Sequence, residues 1–80
     1  MKAKIFITLK DDVLDPQGKA IAQSLKNLGF SDICDVRQGK LIEIEIDKDN
    51  KRLVFTEIES MCNKLLANTV IENYKIEITE

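Results

Sequence analysis

Few residues in this chain are suited to catalysis or metal binding. It has no histidine, which removes a histidine general base, a histidine pH switch and a histidine-based metal site. Its two cysteines, Cys34 and Cys62, are too few for a zinc cage, and we expect both to be buried as small hydrophobic residues in a reducing, cytoplasmic setting. Glu43 and Glu45 alternate along a strand pattern, so we expect them to be solvated. The sequence therefore predicts no catalytic residue and no metal site.

Phosphate loops, nucleic acid and membranes are also disfavoured as functions. Gly18, Gly29 and Gly39 stand alone, so there is no glycine-rich phosphate loop. Twelve basic and fourteen acidic residues give a net charge of −2, without the basic excess that nucleic-acid binding needs. The longest uncharged stretch in the second half, residues 65–71, is far shorter than the roughly 20 residues that span a bilayer. We expect neither nucleic acid nor a membrane as a partner.

Alternating apolar residues predict four strands. The first strand covers residues 3–9, where apolar side chains occupy every second position. The other three cover residues 33–37, 41–46 and 74–79. A three-residue loop at residues 38–40 would match Val36 with Ile42 across a hairpin, whereas a two-residue loop would bury charged side chains. We therefore predict the three-residue loop, with Gly39 supplying a positive φ.

Two segments with apolar residues at helical spacing predict helices over residues 16–28 and about 50–67. The first stripe consists of Ile21, Leu25 and Leu28, directly followed by Gly29. Asp49 or Asn50 is expected to cap the second helix, and Asn68 is expected to end it in the left-handed conformation.

The resulting order, β-α-β-β-α-β, predicts one α+β domain over residues 1–80: a ferredoxin-like sandwich with a four-stranded antiparallel sheet and two helices on one face. A domain of this size buries only about 60% of its unfolded surface, so its core is modest. Phe6 and Leu41 fall on the sheet face that no helix covers. These features favour self-association or another protein partner, and the alternative is that Phe6 and Leu41 are solitary exposed apolar side chains.

The start of the first helix combines capping residues with exposed polar ones. Asp15 is expected at the N-cap, Pro16 at the first helical position, and Gly18 where a small residue allows close packing. These three have a structural purpose. Gln17 and Lys19 flank the apolar stripe, and we predict that they contact a partner subunit, although a purely solvated position is the alternative.

The predicted hairpin supplies two more candidates for partner contact, Arg37 and Lys40. The planar guanidinium of Arg37 would suit a carboxylate on another chain. A solvated hairpin tip, with Gly39 required only by the turn, is the alternative interpretation. Asn68 is interpreted as a cap rather than a contact.

Three segments together carry a family resemblance. They are LDPQGKAI at 14–21, DVRQGKLIEIEID at 35–47 and MCNKLLANTVIENYKIEI at 61–78. In this order and spacing they resemble the PurS family, the small subunit of bacterial phosphoribosylformylglycinamidine synthase, from end to end. One departure is Thr69, where the family usually has a proline that would stiffen the turn.

The resemblance implies a role in the fourth step of de novo purine synthesis. In that reaction formylglycinamide ribonucleotide, ATP and glutamine give formylglycinamidine ribonucleotide. A glutaminase subunit, PurQ, releases ammonia, and a large synthetase subunit, PurL, uses ATP and magnesium. PurS is implied to be a homodimeric or higher oligomeric adaptor that binds no cofactor itself and joins the two. A free-standing ferredoxin-like module that binds a ligand or regulates another protein is the alternative.

Overall fold

The fold contains two helices and a three-stranded antiparallel sheet. The computed structural model describes residues 1–79. In chain order the elements are β1 (Lys2–Leu9), α1 (Pro16–Asn27), β2 (Gly39–Glu45), α2 (Lys51–Met61), a turn of π-helix (Cys62–Leu66) and β3 (Glu72–Thr79). The predicted α+β class is confirmed, and so are the approximate positions of both helices.

The sheet has the order β2-β1-β3, with β1 antiparallel to both neighbours. Ile5 lies between Ile42 and Ile76, so one sheet face carries a row of isoleucines that spans all three strands. β1 is the central strand, and its inward-facing side chains Ala3, Ile5 and Ile7 are fully buried on this face.

The core lies between this sheet face and α2. Its buried residues are Ala3, Ile5, Ile7, Val54, Ile58, Cys62 and Ala67. Burial raises the pKa of the Cys62 thiol, as expected for a cysteine that acts as a small hydrophobe. The expectation that Cys34 is buried as well is wrong, because Cys34 is exposed. The segment that contains it does not join the sheet.

The predicted second strand, residues 33–37, and its hairpin are not formed. This segment is irregular, and β2 begins at Gly39, which pairs with Thr8 of β1. Gly39 therefore has no turn role, and the only described residue with positive φ is Gly29, at 103°. The Asp35 carboxylate accepts a hydrogen bond from the Val36 N–H at 2.9 Å. Such a local bond competes with strand pairing, and the sheet has three strands instead of the four of a ferredoxin-like sandwich.

The prediction that both helices cover one sheet face is also wrong. α1 makes no more than marginal contact with any described strand or with α2, and only Gly18 within it is buried. The chain measures 48 × 26 × 14 Å with a radius of gyration of 16.1 Å, whereas about 12 Å is typical for a compact domain of this length. We call the projecting segment, residues 16–36, the arm.

Local hydrogen bonds define the end of α1 and the start of α2. α1 closes in a Schellman motif, since the Phe30 N–H donates to the Leu25 carbonyl and Gly29 adopts positive φ. The Asn50 side chain caps α2 by accepting from the Leu53 N–H at 3.2 Å, as predicted. Asn68 does not adopt the left-handed conformation that we expected. It organises the next turn instead, because its side chain accepts from the Val70 N–H.

Candidate interaction surface

Asp15 joins the two ends of the arm. The residue is only 4% exposed, and its Oδ1 accepts a hydrogen bond from the Gly18 N–H at 2.8 Å while Oδ2 accepts one from the Gln38 N–H at 2.7 Å. These two bonds, with the Gln38 bond the stronger cause, hold the pKa of the Asp15 carboxyl below its usual value. The predicted N-cap at Asp15 and the first helical position at Pro16 are both confirmed.

Gly18 brings two backbone segments into direct contact at the base of the arm. A Cβ atom at this position would lie 2.2 Å from the carbonyl oxygen of Val36, which is far inside van der Waals contact. Because the obstructing atom belongs to the backbone, a side chain could not be accommodated by a rotamer change. The close packing predicted for Gly18 is therefore confirmed.

Arg37 ties the return segment to the loop after β1. One guanidinium nitrogen donates to the Val13 carbonyl at 3.1 Å, and the other donates to the carbonyls of Lys10 at 2.9 Å and Leu9 at 3.3 Å. The predicted hairpin would place Arg37 opposite Leu41, but residues 33–37 form no strand, so Arg37 does not pair with β2. We refer to Asp15, Gly18, Arg37 and Gln38 as the clasp.

Three of the four predicted partner contacts lie beside the clasp, and the fourth, Arg37, belongs to it. Gln17 and Lys40 line one open cleft of about 220 Å³, in which the Lys40 Nζ lies 3.7 Å from a Glu72 carboxylate oxygen. Lys19 and Arg37 line a second cleft of about 360 Å³. All four residues are exposed. The fold thus brings together side chains that are up to 23 positions apart in the sequence. Their contact with a partner stays a prediction.

Exposed apolar side chains are the functional signal that sequence reasoning missed. Leu28, in the stripe predicted to be buried, is 74% exposed, and Phe30 directly beyond α1 is 57% exposed. On the open sheet face Phe6 pairs with Leu41, and both are partly exposed as predicted. The helical period located the stripe correctly, but periodicity does not reveal whether a stripe is covered by its own chain.

Residues 1–79 contain neither a cluster of metal-ligating side chains nor a membrane-spanning helix. This part of the chain contains no cluster of three or more histidine, cysteine, aspartate or glutamate side chains that could hold a metal ion. Within the same residues, no helix has both the length and the apolar character required to cross a membrane.

Comparison with known proteins identifies the family. The family model described as "PurS: Phosphoribosylformylglycinamidine (FGAM) synthase" matches residues 2–80. The chain belongs to the PurS family. It is 44% identical over 79 residues to the phosphoribosylformylglycinamidine synthase subunit PurS of Bacillus subtilis, covering 99% of this chain and 93% of the relative. The corresponding PurS of Methanocaldococcus jannaschii is 43% identical over 77 residues, covering 96% and 93% of the two chains.

Solved PurS structures share the shape of this chain. The crystal structure of Methanocaldococcus jannaschii PurS aligns with a TM-score of 0.90 at 42% identity, covering 99% of this chain and 95% of that one. Bacillus subtilis PurS aligns with a TM-score of 0.87 at 44% identity, covering 99% and 98%. A chain in the structure of PurLQS from Thermotoga maritima aligns with a TM-score of 0.86 at 29% identity, covering 95% and 93%. The first two alignments include 99% of this chain and therefore include the arm.

Proposed function

We propose that this PurS chain is the non-catalytic adaptor subunit of a glutamine-dependent FGAM synthase. It joins a glutaminase subunit, PurQ, to a synthetase subunit, PurL, so that ammonia passes between their sites without escape to solvent. The observation that carries the proposal is the end-to-end likeness to PurS chains, including one in a PurLQS structure. The similar purS subunit of Thermotoga maritima is part of a phosphoribosylformylglycinamidine synthase of class EC 6.3.5.3, which is a class of ligases.

The proposed division of labour leaves the covalent steps to the larger subunits. Glutamine and water give glutamate and ammonia on PurQ. On PurL, ATP with magnesium activates the formamide oxygen, and ammonia replaces that oxygen, which leaves with phosphate. The adaptor holds the PurQ and PurL sites close to each other, so that ammonia passes directly between them instead of diffusing through solvent. Such an assembly would operate in the cytoplasm, where purine nucleotides are made.

The surface around the clasp supports a role in contact. Gln17, Lys19 and Lys40 present amide and ammonium donors at the rims of two clefts, and Arg37, whose guanidinium already donates to three carbonyls of its own chain, lines the second cleft. Their shared support, the clasp, is fixed by hydrogen bonds from two backbone N–H groups to the buried Asp15 carboxylate. Prepositioned polar groups lose less freedom on binding than mobile ones do. We propose that these four residues contact a larger subunit, and that the chain also associates with itself.

Reconstitution of the complex tests this function. PurL and PurQ from the same organism are assayed for FGAM formation with glutamine, or with ammonia, in the presence and absence of this chain. We expect synthesis only when the chain is added, and none from the chain alone. Full activity of PurL and PurQ without it would overturn the proposal. Stabilisation of the isolated chain by a small metabolite, without recovery of activity, would favour the ligand-binding module.

A further inference from the structure

The segment after α2 exposes a leucine that helical spacing would bury. In a continuous α-helix Leu65, at i+11 from Val54, would lie within about 20° of it around the helix axis and so on the same face. Val54 and Ile58 are fully buried in the core, whereas Leu65 is 84% exposed. The backbone between Ile58 and Leu65 must therefore depart from the α-helix.

The turn of π-helix at Cys62–Leu66 is this departure. The Ala67 N–H donates to the Cys62 carbonyl, five residues back, at 3.0 Å, so the turn holds one residue more than an α-helical turn. Residues five apart lie about 140° apart around an α-helix, yet Cys62 and Ala67 are both buried in the core. The wider turn brings them to one side, packs Leu66 against the core and leaves Leu65 outside.

Leu65 lines an open groove of about 490 Å³ beside the last turns of this helical segment. Met61 and Leu66, which pack against the core, line the same groove, so its apolar lining continues the core to the surface. An apolar centre of this kind is typical of protein interfaces, and turns of π-helix are often found at functional sites. Leu65 therefore differs from a single apolar side chain scattered on a polar surface.

The rim of the groove carries a cation without an ionic partner. Glu57 pairs with Lys48, but Lys64 forms no ion pair within residues 1–79. A two-fold axis through Leu65 would bring Lys64 close to Lys64 of a second copy, and such like charges disfavour an interface. A chain that offers an apolar side chain beside a carboxylate would match both Leu65 and Lys64. The charges therefore favour a different protein over a second copy.

We propose that the groove binds an amphipathic helix of a larger synthase subunit, with an apolar side chain against Leu65 and a carboxylate at Lys64. Residues 57–65 extend about 12 Å along the helix axis, which matches two turns of a partner helix with anchors at i and i+4. This inference rests on the proposed function and adds a contact surface that shares no residue with the clasp.

Titration of variants into a fixed amount of PurL and PurQ tests the groove. Leu65→Glu should raise the concentration of chain needed for half-maximal FGAM synthesis at least about tenfold, because a carboxylate would enter the apolar contact. Leu53→Glu is the matched control, since Leu53 is 55% exposed in the first turn of α2, where a glutamate is well tolerated. It should leave the titration unchanged. Circular dichroism melts should show that both variants fold like the unmodified chain.

The charge of Lys64 provides a second measurement. Lys64→Glu should raise the same half-maximal concentration at least about threefold, because it would face the carboxylate of the partner. Lys64→Arg keeps the charge and should titrate normally. Added salt should reduce the difference between these two variants. Equal titrations of the two at low salt would overturn the placement of a carboxylate at Lys64.

The outcomes separate this inference from the proposed function. A normal titration for Leu65→Glu, or an equal rise for Leu53→Glu, would overturn the groove as a contact surface and leave the adaptor role intact. Separation of copies in Leu65→Glu, measured by light scattering after size exclusion, would overturn it in favour of a second copy as the occupant. Failure of the unmodified chain to support FGAM synthesis would overturn the proposed function itself.

Discussion

The backbone N–H of Gln38 donates to Oδ2 of Asp15 at 2.7 Å, although the two residues are 23 positions apart. The other oxygen of the same carboxylate caps α1 through the Gly18 N–H. One buried side chain therefore starts a helix and also fixes where the chain re-enters the sheet. This double use ties both ends of the arm to one carboxylate, and it makes the arm sensitive to changes at its base.

Acid should weaken the fold through Asp15. Hydrogen bonds from Gln38 and Gly18 lower the pKa of this carboxyl in the folded chain, while the unfolded value is about 3.9. The folded state thus favours the ionised form, and the resulting stability is present above the unfolded pKa and is lost as pH falls through the folded pKa. We expect the melting temperature to decline below about pH 4, and less steeply in Asp15→Asn.

Circular dichroism melts between about pH 6 and pH 2 measure this effect. The pKa of Glu43 is also lowered, because Lys2 lies 2.8 Å from it, so Glu43→Gln serves as a comparison on the sheet. An unchanged acid dependence in Asp15→Asn would show that the clasp carboxylate does not contribute.

A methyl group at Gly18 should destabilise the chain strongly. In Gly18→Ala the new Cβ would overlap the Val36 carbonyl oxygen, so one of two backbone segments must move. We expect a loss of about 2 kcal/mol or more in the free energy of unfolding, measured by urea denaturation. Ser24→Ala, on the exposed surface of the same helix, should change stability by less than about 0.5 kcal/mol. Equal effects of the two substitutions would contradict the close approach.

Local sequence signals predicted much of this fold. Period-two alternation located β1 and β3, and the apolar stripe located α2 with its Asn50 cap. The capping pattern at Asp15 and Pro16 placed the start of α1 correctly. Each of these features depends on residues within a few positions of one another, which is why spacing alone identified them.

The errors arose where a distant residue decides the conformation. The Gln38 N–H bonds to Asp15, so the segment before it runs as part of the clasp and forms no second strand. Gly39, which was predicted to lie in the turn, lies against the Ile7 carbonyl instead. A Cβ on Gly39 would be only 2.5 Å from that oxygen, so the small size of Gly39 serves packing and not a turn. The sequence identified the candidate contacts from the chemistry of their side chains. Their grouping around the clasp depends on these long-range hydrogen bonds, which local patterns do not predict.

Lysine at position 37 should not restore the stability that Arg37 gives to the clasp. The guanidinium donates to three carbonyls from two nitrogens, whereas an ammonium group is a single point donor. We expect Arg37→Lys to lower the free energy of unfolding by about 1 kcal/mol and to speed amide exchange in α1. Arg52→Lys, on the exposed surface of α2, is the control and should change neither. Similar exchange profiles for both variants would mean that the Arg37 bonds do not hold the arm.

A charge reversal at Lys19 should separate contact from stability. Lys19 is exposed and forms no ion pair within residues 1–79, so Lys19→Glu should change the free energy of unfolding by less than about 0.5 kcal/mol. If this side chain faces an acidic group on a larger subunit, the same substitution should reduce the affinity for that subunit at least about tenfold, since like charges repel across an interface.

Titration of each variant into a fixed amount of PurL and PurQ gives the concentration needed for half-maximal FGAM synthesis. Lys51→Glu makes the same charge change on the exposed first turn of α2, away from the clasp, and should leave that concentration unchanged. A normal titration for Lys19→Glu would remove Lys19 from the contact surface. An equal rise for both variants would instead indicate a general dependence on net charge, which added salt would diminish.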